Sequence, residues 1–324
     1  MTNFEEKVGA VNGDENRDLG FGARVAGESR QRLLNPDGSF NVERSGLSFW
    51  ASLSPYHALL TMSWSRFLGS FVAAYFVANA IFACAYLLCG PGALAAPEGL
   101  QITNRFWVAF FFSVDTMATI GYGNITPVGM AANWLVTIEA LFGILGVALV
   151  TGILFARFSR PTAKIMFSDN VIIAPYRGMT ALEFRITNTR RSQIIELEAK
   201  VLLARFEDEG GKKIRRFVAL NLERQKVVFF PLSWTIVHPI DESSPLFGVT
   251  QADLIASDAE VLILLSGIDE TFSQMVHTRS SYQANQIVWQ ARFGDVYNPP
   301  TPSGRLTIDV RKLHSIELLD ETTE

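Results

Sequence analysis

Hydrophobic and polar positions follow two different rules along this chain, and the change falls near Pro161. From Phe67 to Pro97 there is no charged residue, and from Ala131 to Ala156 the only one is Glu139. Both stretches exceed the roughly 20 residues that a helix needs to cross a hydrocarbon layer about 30 Å thick. They predict two membrane spans, an outer helix over 64–88 closed by Gly90-Pro91-Gly92, and an inner helix over 131–158. Between them, Phe106 to Met117 is apolar but too short to cross, which suits a re-entrant helix over 106–117 whose ends are satisfied by protein or a water-filled cavity. The two spans and the short helix are assigned to one membrane unit over 64–160.

Beyond Pro161 the period becomes two. Leu182, Phe184 and Ile186 alternate with Glu183, Arg185 and Thr187, and Ile195, Leu197, Ala199, Val201 and Leu203 continue in the same way. Strands with one buried face read like this. Further strands are expected over 213–222, 261–267, 274–282 and 287–293, with no useful helical stretch between them, so 161–315 is read as an all-β sandwich and 316–324 as a C-terminal tail. At the other end, 1–46 is charged, glycine-rich and without an apolar segment, which predicts a flexible tail rather than a signal peptide. Leu47, Trp50, Leu53, Tyr56, Leu59 and Leu60 recur at three or four residues, the stripe of an amphipathic helix lying along a membrane surface over 47–63, with its regular part starting near Ser54 ahead of Pro55. An interdomain connector has the same periodicity and stays open at this point.

Charge refines the picture. Arg66 precedes the first span, Arg157, Arg160 and Lys164 follow the second, and Arg105 alone lies between, so the positive-inside rule places both termini in the cytoplasm of a cell-membrane protein. The formal charge of −4 argues against a nucleic-acid partner. Cys84 and Cys89 read as small apolar residues in lipid, and the four histidines show no metal-ligand spacing. No catalytic triad, phosphate loop or metal motif is present, so neither an enzyme nor a cofactor is expected.

The candidate chemistry lies directly after the short helix, in Thr119-Ile120-Gly121-Tyr122-Gly123. A K⁺ ion entering a membrane must exchange its water shell for oxygens, and rings of backbone carbonyls from four copies of a Thr-x-Gly-Tyr-Gly loop supply them. One chain gives a quarter of each ring, so a homotetramer with K⁺ as permeant ion is expected. The two glycines reach φ > 0 without a Cβ clash. Trp107, Asp115 and Glu139 are candidates to support the filter, Trp107 by bracing the Tyr122 ring and Glu139 because charge inside a membrane span is functional by default.

With Tyr56-His57-Ala58-Leu59-Leu60-Thr61, Trp64, the filter, Ala156-Arg157-Phe158-Ser159-Arg160-Pro161, His238-Pro239-Ile240-Asp241, Ser244-Pro245-Leu246 and Arg279-Ser280-Ser281-Tyr282 at family-like spacing, the chain resembles the inward-rectifier potassium channels, most closely their prokaryotic branch (KirBac), from about Leu47 to Leu313. The resemblance implies a slide helix, a two-helix pore domain and an immunoglobulin-like cytoplasmic domain whose four copies extend the pore. It also implies that Gly143, Val147, Thr151 and Phe155, which recur every four residues, line the inner helix, with Gly143 a bending point and Phe155 the gate. Arg157, Arg160 and Lys164 become candidates for anionic lipid head groups, phosphoinositides among them, and Phe272, Ser273 and Gln274 for a second constriction, the G-loop. Two departures limit the likeness. Val147 stands where strongly rectifying relatives place an acid, so polyamine block is expected to be weak, and Asp115 lacks the arginine partner that such relatives carry where this chain has Asn124 and Ile125. A non-selective cation channel and a membrane-anchored binding module with a silent pore are the alternatives; Tyr122 disfavours the first and the filter the second.

Overall fold

The computed structural model describes residues 31–41, 54–97, 102–159, 163–190, 192–230, 232–299 and 307–319. Two compact units result, one from Ser45 to Arg160 and one that joins Met1–Arg44 to Pro161–Glu324. The part of the expected slide region before Ser54, Arg160, and the ends of both tails lie outside the described residues.

The first unit is helical. Helix α1 (Pro55–Thr61) starts with proline at its first turn, where the missing N–H costs nothing. Helix α2 (Trp64–Leu88) follows after two residues and carries no charge beyond Arg66 in its first turn. Strand β1 (Leu94–Ala95), helix α3 (Arg105–Met117), strand β2 (Thr126–Pro127) and helix α4 (Gly129–Phe158) complete the unit. At about 1.5 Å per residue, α2 and α4 are long enough to cross a bilayer and α3 is not. Asn104 caps α3 by accepting from the Phe106 N–H at 2.9 Å. Ala83, Tyr86, Ala109, Phe110, Phe112 and Ile125 form the buried apolar centre where α2 meets α3.

The second unit is a sandwich of two five-stranded sheets. In one, β4 (Val171–Tyr176), β5 (Met179–Asn188), β3 (Ile165–Phe167), β9 (Ser233–Ile240) and β12 (Ile287–Trp289) gather around β5, with β12 parallel to β4 at the edge. In the other, β6 (Ile194–Glu209) is flanked by β10 (Glu260–Asp269) on one side and by β7 (Lys212–Ala219) and β8 (Lys226–Phe230) on the other, with β11 (Gln274–Gln283) outside β10. Phe184, Ile186 and Ile236 of the first sheet pack against Leu197, Leu203, Val261 and Ile263 of the second, and each such side chain contributes about 1.5–3 kcal/mol by leaving water.

Several expectations need correction. Ile195 is out of phase: Glu196 takes φ 53° and the β6–β10 register shifts opposite it, so this bulge turns Ile194 inward in its place, while Leu197 is buried as expected. Gly267 sits across from that bulge, where a Cβ would come within 2.7 Å of the Ile194 side chain. The stretch 287–293 is two strands, because Gln290 (φ 49°) breaks β12 from β13 (Ala291–Phe293). Residues 316–318 are not tail, since β14 (Ile316–Leu318) pairs with β13. A short helix, α5 (Gln251–Ala256), is closed at its start by a reciprocal Thr250–Asp253 capping box. Residues 31–41 also belong to the folded unit: Leu33 and Leu34 pack on Ala204, Phe217 and Leu262, and the buried Glu260 carboxylate accepts from the Leu33 N–H at 3.0 Å.

Candidate functional site

Helix α3 delivers the filter. Its last turn does not simply end, because the Ile120 N–H donates back to the Asp115 carbonyl at 2.8 Å and the Thr119 N–H to the Thr116 carbonyl at 3.1 Å. The loop thereby starts at the carbonyl end of the helix, which carries partial negative charge and favours a cation. Thr119 (φ 56°), Gly121 (φ 63°) and Gly123 (φ 78°) are left-handed and alternate with Ile120 and Tyr122, which are not. Left-handed residues at alternate positions are what a loop needs if successive carbonyls are to face one axis. Nothing in the same chain lies near a Cβ added at Gly121 or Gly123, and the left-handed backbone angle is what the chain's own fold asks of glycine there. Thr119 accepts the same angle despite its branched Cβ, a strain of about 1–3 kcal/mol of the kind that persists where surrounding contacts fix it. After the filter, β2 pairs with β1 and the Val128 N–H donates to the Ala93 carbonyl at 2.8 Å, tying the far end of the loop to the segment behind α2.

Behind the filter lies a buried polar cluster. Glu139 is 0% exposed, and its carboxylate accepts from the Tyr86 hydroxyl at 2.5 Å and from the Ser113 hydroxyl. Ser113 Oγ also lies 3.0 Å from Asn79 Oδ1, and the Asn79 amide donates to the Tyr75 carbonyl at 2.8 Å. α2, α3 and α4 are thus linked by polar side chains in a region otherwise apolar. The sequence singled out Glu139 but missed Asn79, Tyr86 and Ser113, whose only signal is that they are polar within apolar helices.

The other expected site residues are placed as follows. Gly143 does not share the open face of α4: a Cβ there would lie 2.5 Å from the Met117 carbonyl oxygen, so its bareness lets α4 approach the end of α3. A four-residue step advances about 40° beyond a full turn, so over three steps the stripe rotates by about a third of a circle. Val147, Thr151 and Phe155 remain exposed on the single chain. Trp107 makes its ring contacts with Phe106, Phe110 and Phe111 of its own helix, and among the described residues no ring of the same chain pairs with Tyr122. No cation pairs with the Asp115 carboxylate among the described residues.

Arg157, expected at lipid head groups, donates to the Leu59 carbonyl at 2.7 Å and to the Met62 carbonyl. Lys164 lies at the start of the sandwich unit, where its carbonyl accepts from the Thr189 N–H and hydroxyl. Phe272, Ser273 and Gln274 form the turn from β10 into β11, with Ser273 left-handed and the buried Asp269 carboxylate accepting from the Thr271 N–H at 2.9 Å. His238 is buried in the sandwich, donating from Nδ1 to the Asn221 carbonyl at 2.6 Å and accepting the Ser244 hydroxyl at Nε2. Burial holds its pKa below the ordinary histidine value. Among the described residues no group of His, Cys, Asp and Glu is arranged to hold a metal ion.

These features define a class: a two-span pore domain with a filter loop on a half-membrane helix, followed by a β-sandwich. The description "Inward rectifier potassium channel C-terminal domain" matches residues 165–324, and "Ion channel" matches residues 70–160. The inward rectifier potassium channel Kirbac3.1 of Paramagnetospirillum magnetotacticum is 44% identical over 289 residues, 89% of this chain and 96% of that one. The ATP-sensitive inward rectifier potassium channel 12 of Gallus gallus is 29% identical over 292 residues, 82% of this chain and 67% of its own length. The human inward rectifier potassium channel 18 is 32% identical over 203 residues, 60% of this chain and 47% of its own. The chain belongs to the inward-rectifier potassium channel family. It is a membrane-embedded ion channel, not an enzyme.

Proposed function

We propose that four copies of this chain assemble around one axis and pass K⁺ down its gradient through a filter built from the carbonyls of Thr119 to Gly123, without cofactor. The observation that carries this reading is the left-handed backbone at Thr119, Gly121 and Gly123, the alternation that allows successive carbonyls to face one axis. Ile120 and Tyr122, 46% and 74% exposed on one chain, then meet neighbouring subunits, Tyr122 with the half-exposed Trp107 of another copy.

Phe155 at the cytoplasmic end of α4 serves as the gate, since a ring of apolar side chains stops ions by dewetting. Valine at 147 offers no charge to a polyamine, so block is weak. Both termini lie in the cytoplasm of the cell membrane. Anionic lipids, phosphoinositides among them, regulate the channel through Arg160 and Lys164, and Phe272 to Gln274 form the second constriction. The test is ⁸⁶Rb⁺ uptake by proteoliposomes, with and without anionic lipid. Uptake driven by internal K⁺, blocked by Ba²⁺ and indifferent to Na⁺ is expected; equal competition by Na⁺ identifies a non-selective pore, and no uptake a silent one.

A further inference from the structure

A cavity of about 210 Å³ lies where Gln31 and Arg32 meet the sandwich, between β7, the turn after α5 and the turn after β11. Its wall carries four formal charges, those of Arg32, Arg215, Asp258 and Glu260. Two of the four are engaged within the fold. Arg32 donates to the Leu34 carbonyl at 2.8 Å and to the Ser281 carbonyl, and the Glu260 carboxylate accepts from the Leu33 and Leu34 N–H groups at 3.0 and 3.3 Å. The other two are not engaged. Arg215 is 2% exposed, its guanidinium lies 4.7 Å from the centroid of the Phe206 ring, and its Nη2 reaches the Gln31 carbonyl at 3.5 Å, longer than an ordinary hydrogen bond. Its Nε and Nη1 are shielded from water and have no hydrogen-bond partner. Glu260 and Asp258 favour its charge from a distance. Asp258 is exposed on the turn after α5, and among the described residues no hydrogen bond or ion pair engages its carboxylate.

A buried guanidinium with unmade hydrogen bonds bears its full desolvation cost, so a fold keeps one where something else completes it. One unengaged cation and one unengaged anion in the same wall call for a ligand with the opposite pair. A simple anion would meet Asp258 and Glu260, and a simple cation would meet Arg32 and Arg215. Ile255, Ala259 and Ala284 add apolar surface between the charged groups. We infer that this cavity binds a small zwitterion, an amino acid whose carboxylate faces Arg215 and whose ammonium faces Asp258. A planar guanidinium matches a carboxylate through paired N–H groups. The volume equals the liquid share of about seven waters, room for an amino acid of middling size. A ligand that small binds in the micromolar to millimolar range. Because Glu260 also holds the Leu33 and Leu34 N–H groups, an occupied site steadies that segment on the sandwich.

The test is isothermal titration calorimetry on the full-length channel in detergent, with L-leucine, L-glutamine, 4-methylpentanoate, which is leucine without its amine, and 3-methylbutylamine, which is leucine without its carboxylate. At least one of the two amino acids is expected to bind at one site per chain, and each truncated probe at least tenfold more weakly than leucine or not at all. Hydrogen exchange at Leu33 and Leu34 should slow at least threefold when the amino acid is bound, which locates it. Arg215→Met, which keeps an apolar stem against Phe206, and Asp258→Asn, on an exposed turn, should each weaken binding at least tenfold. In Asp258→Asn the advantage of leucine over 4-methylpentanoate should also vanish, a change that a merely structural aspartate would not produce. Equal binding of either truncated probe to the unaltered channel would overturn the zwitterion. Binding untouched by both substitutions, or no binding of either amino acid, would overturn the site. Should Arg215→Met not assemble, Asp258→Asn alone carries the test, and unchanged affinity with unchanged preference there would overturn it.

Discussion

Glu139 and Phe184 are both fully withdrawn from solvent, yet they sit in opposite kinds of surroundings. In the helical unit, Asn79, Ser113 and Glu139 are buried while Leu68, Phe76, Ile81, Leu141 and Leu149 are exposed. In the sandwich, Phe184, Leu203 and Val261 are buried, and Lys200, Glu198 and Arg292 face outward in surface ion pairs. One chain thus folds by two rules. Where lipid is the solvent, apolar contact between helices gains little over lipid contact, and polar links and close backbone approach hold the unit together. Where water is the solvent, apolar burial dominates.

The comparison can be broken at four points, taken from the largest expected effect. Gly121→Ala forces an L side chain into left-handed backbone at about 1–2 kcal/mol per copy, multiplied by four in the assembled filter. K⁺-selective ⁸⁶Rb⁺ uptake should fall to background while the tetramer persists on size exclusion; normal uptake would show that the backbone angle is not what the filter needs. Phe184→Ala empties a site in the sandwich core and should cost about 3–5 kcal/mol. Thermal unfolding of the purified channel reads this as a markedly lower transition, and an unchanged one would remove the core from the explanation.

Glu139→Leu is the converse experiment, an apolar side chain placed where the helical unit buries a polar one. The hydroxyls of Tyr86 and Ser113 lose their acceptor, about 1–3 kcal/mol, despite the gain in apolar surface. The K⁺/Na⁺ permeability ratio should drop, because Ser113 lies on the helix that carries the filter; an improved ratio would contradict the polar linkage. The smallest effect concerns His238, whose pKa is lowered by burial, with the Asn221 carbonyl and Asp241 opposing. The folded form therefore binds its proton later than the unfolded form as pH falls. Stability should be level above about pH 6.5 and decline below it until the lower folded value is passed. His238→Gln should flatten that part of the stability curve, read by denaturant unfolding between pH 7 and 5.

Much of this was legible in sequence because each solvent imposes a simple pattern. Long apolar runs, one of them broken only by Glu139, gave α2 and α4, and alternation at Leu182, Phe184 and Ile186 gave β5. Period two fails where one residue is inserted, so the bulge at Glu196 and the break at Gln290 were invisible. The docking of Leu33 and Leu34 depends on Glu260, more than two hundred residues away, a contact that no local pattern announces. In the site, the motif Thr119 to Gly123 was plain, whereas Gly143 was misplaced because a four-residue stripe drifts around a helix, and the contact of Arg157 with the Leu59 and Met62 carbonyls was missed because a basic residue at a membrane edge carries no local sign of a partner in its own chain.

The most direct measurement is the reversal potential of the purified channel in a planar bilayer with K⁺ on one side and Na⁺ on the other. A potential displaced strongly toward the K⁺ equilibrium value, and lost in Gly121→Ala, is the expected result. A potential near zero in the unaltered channel would contradict a carbonyl filter selective for K⁺.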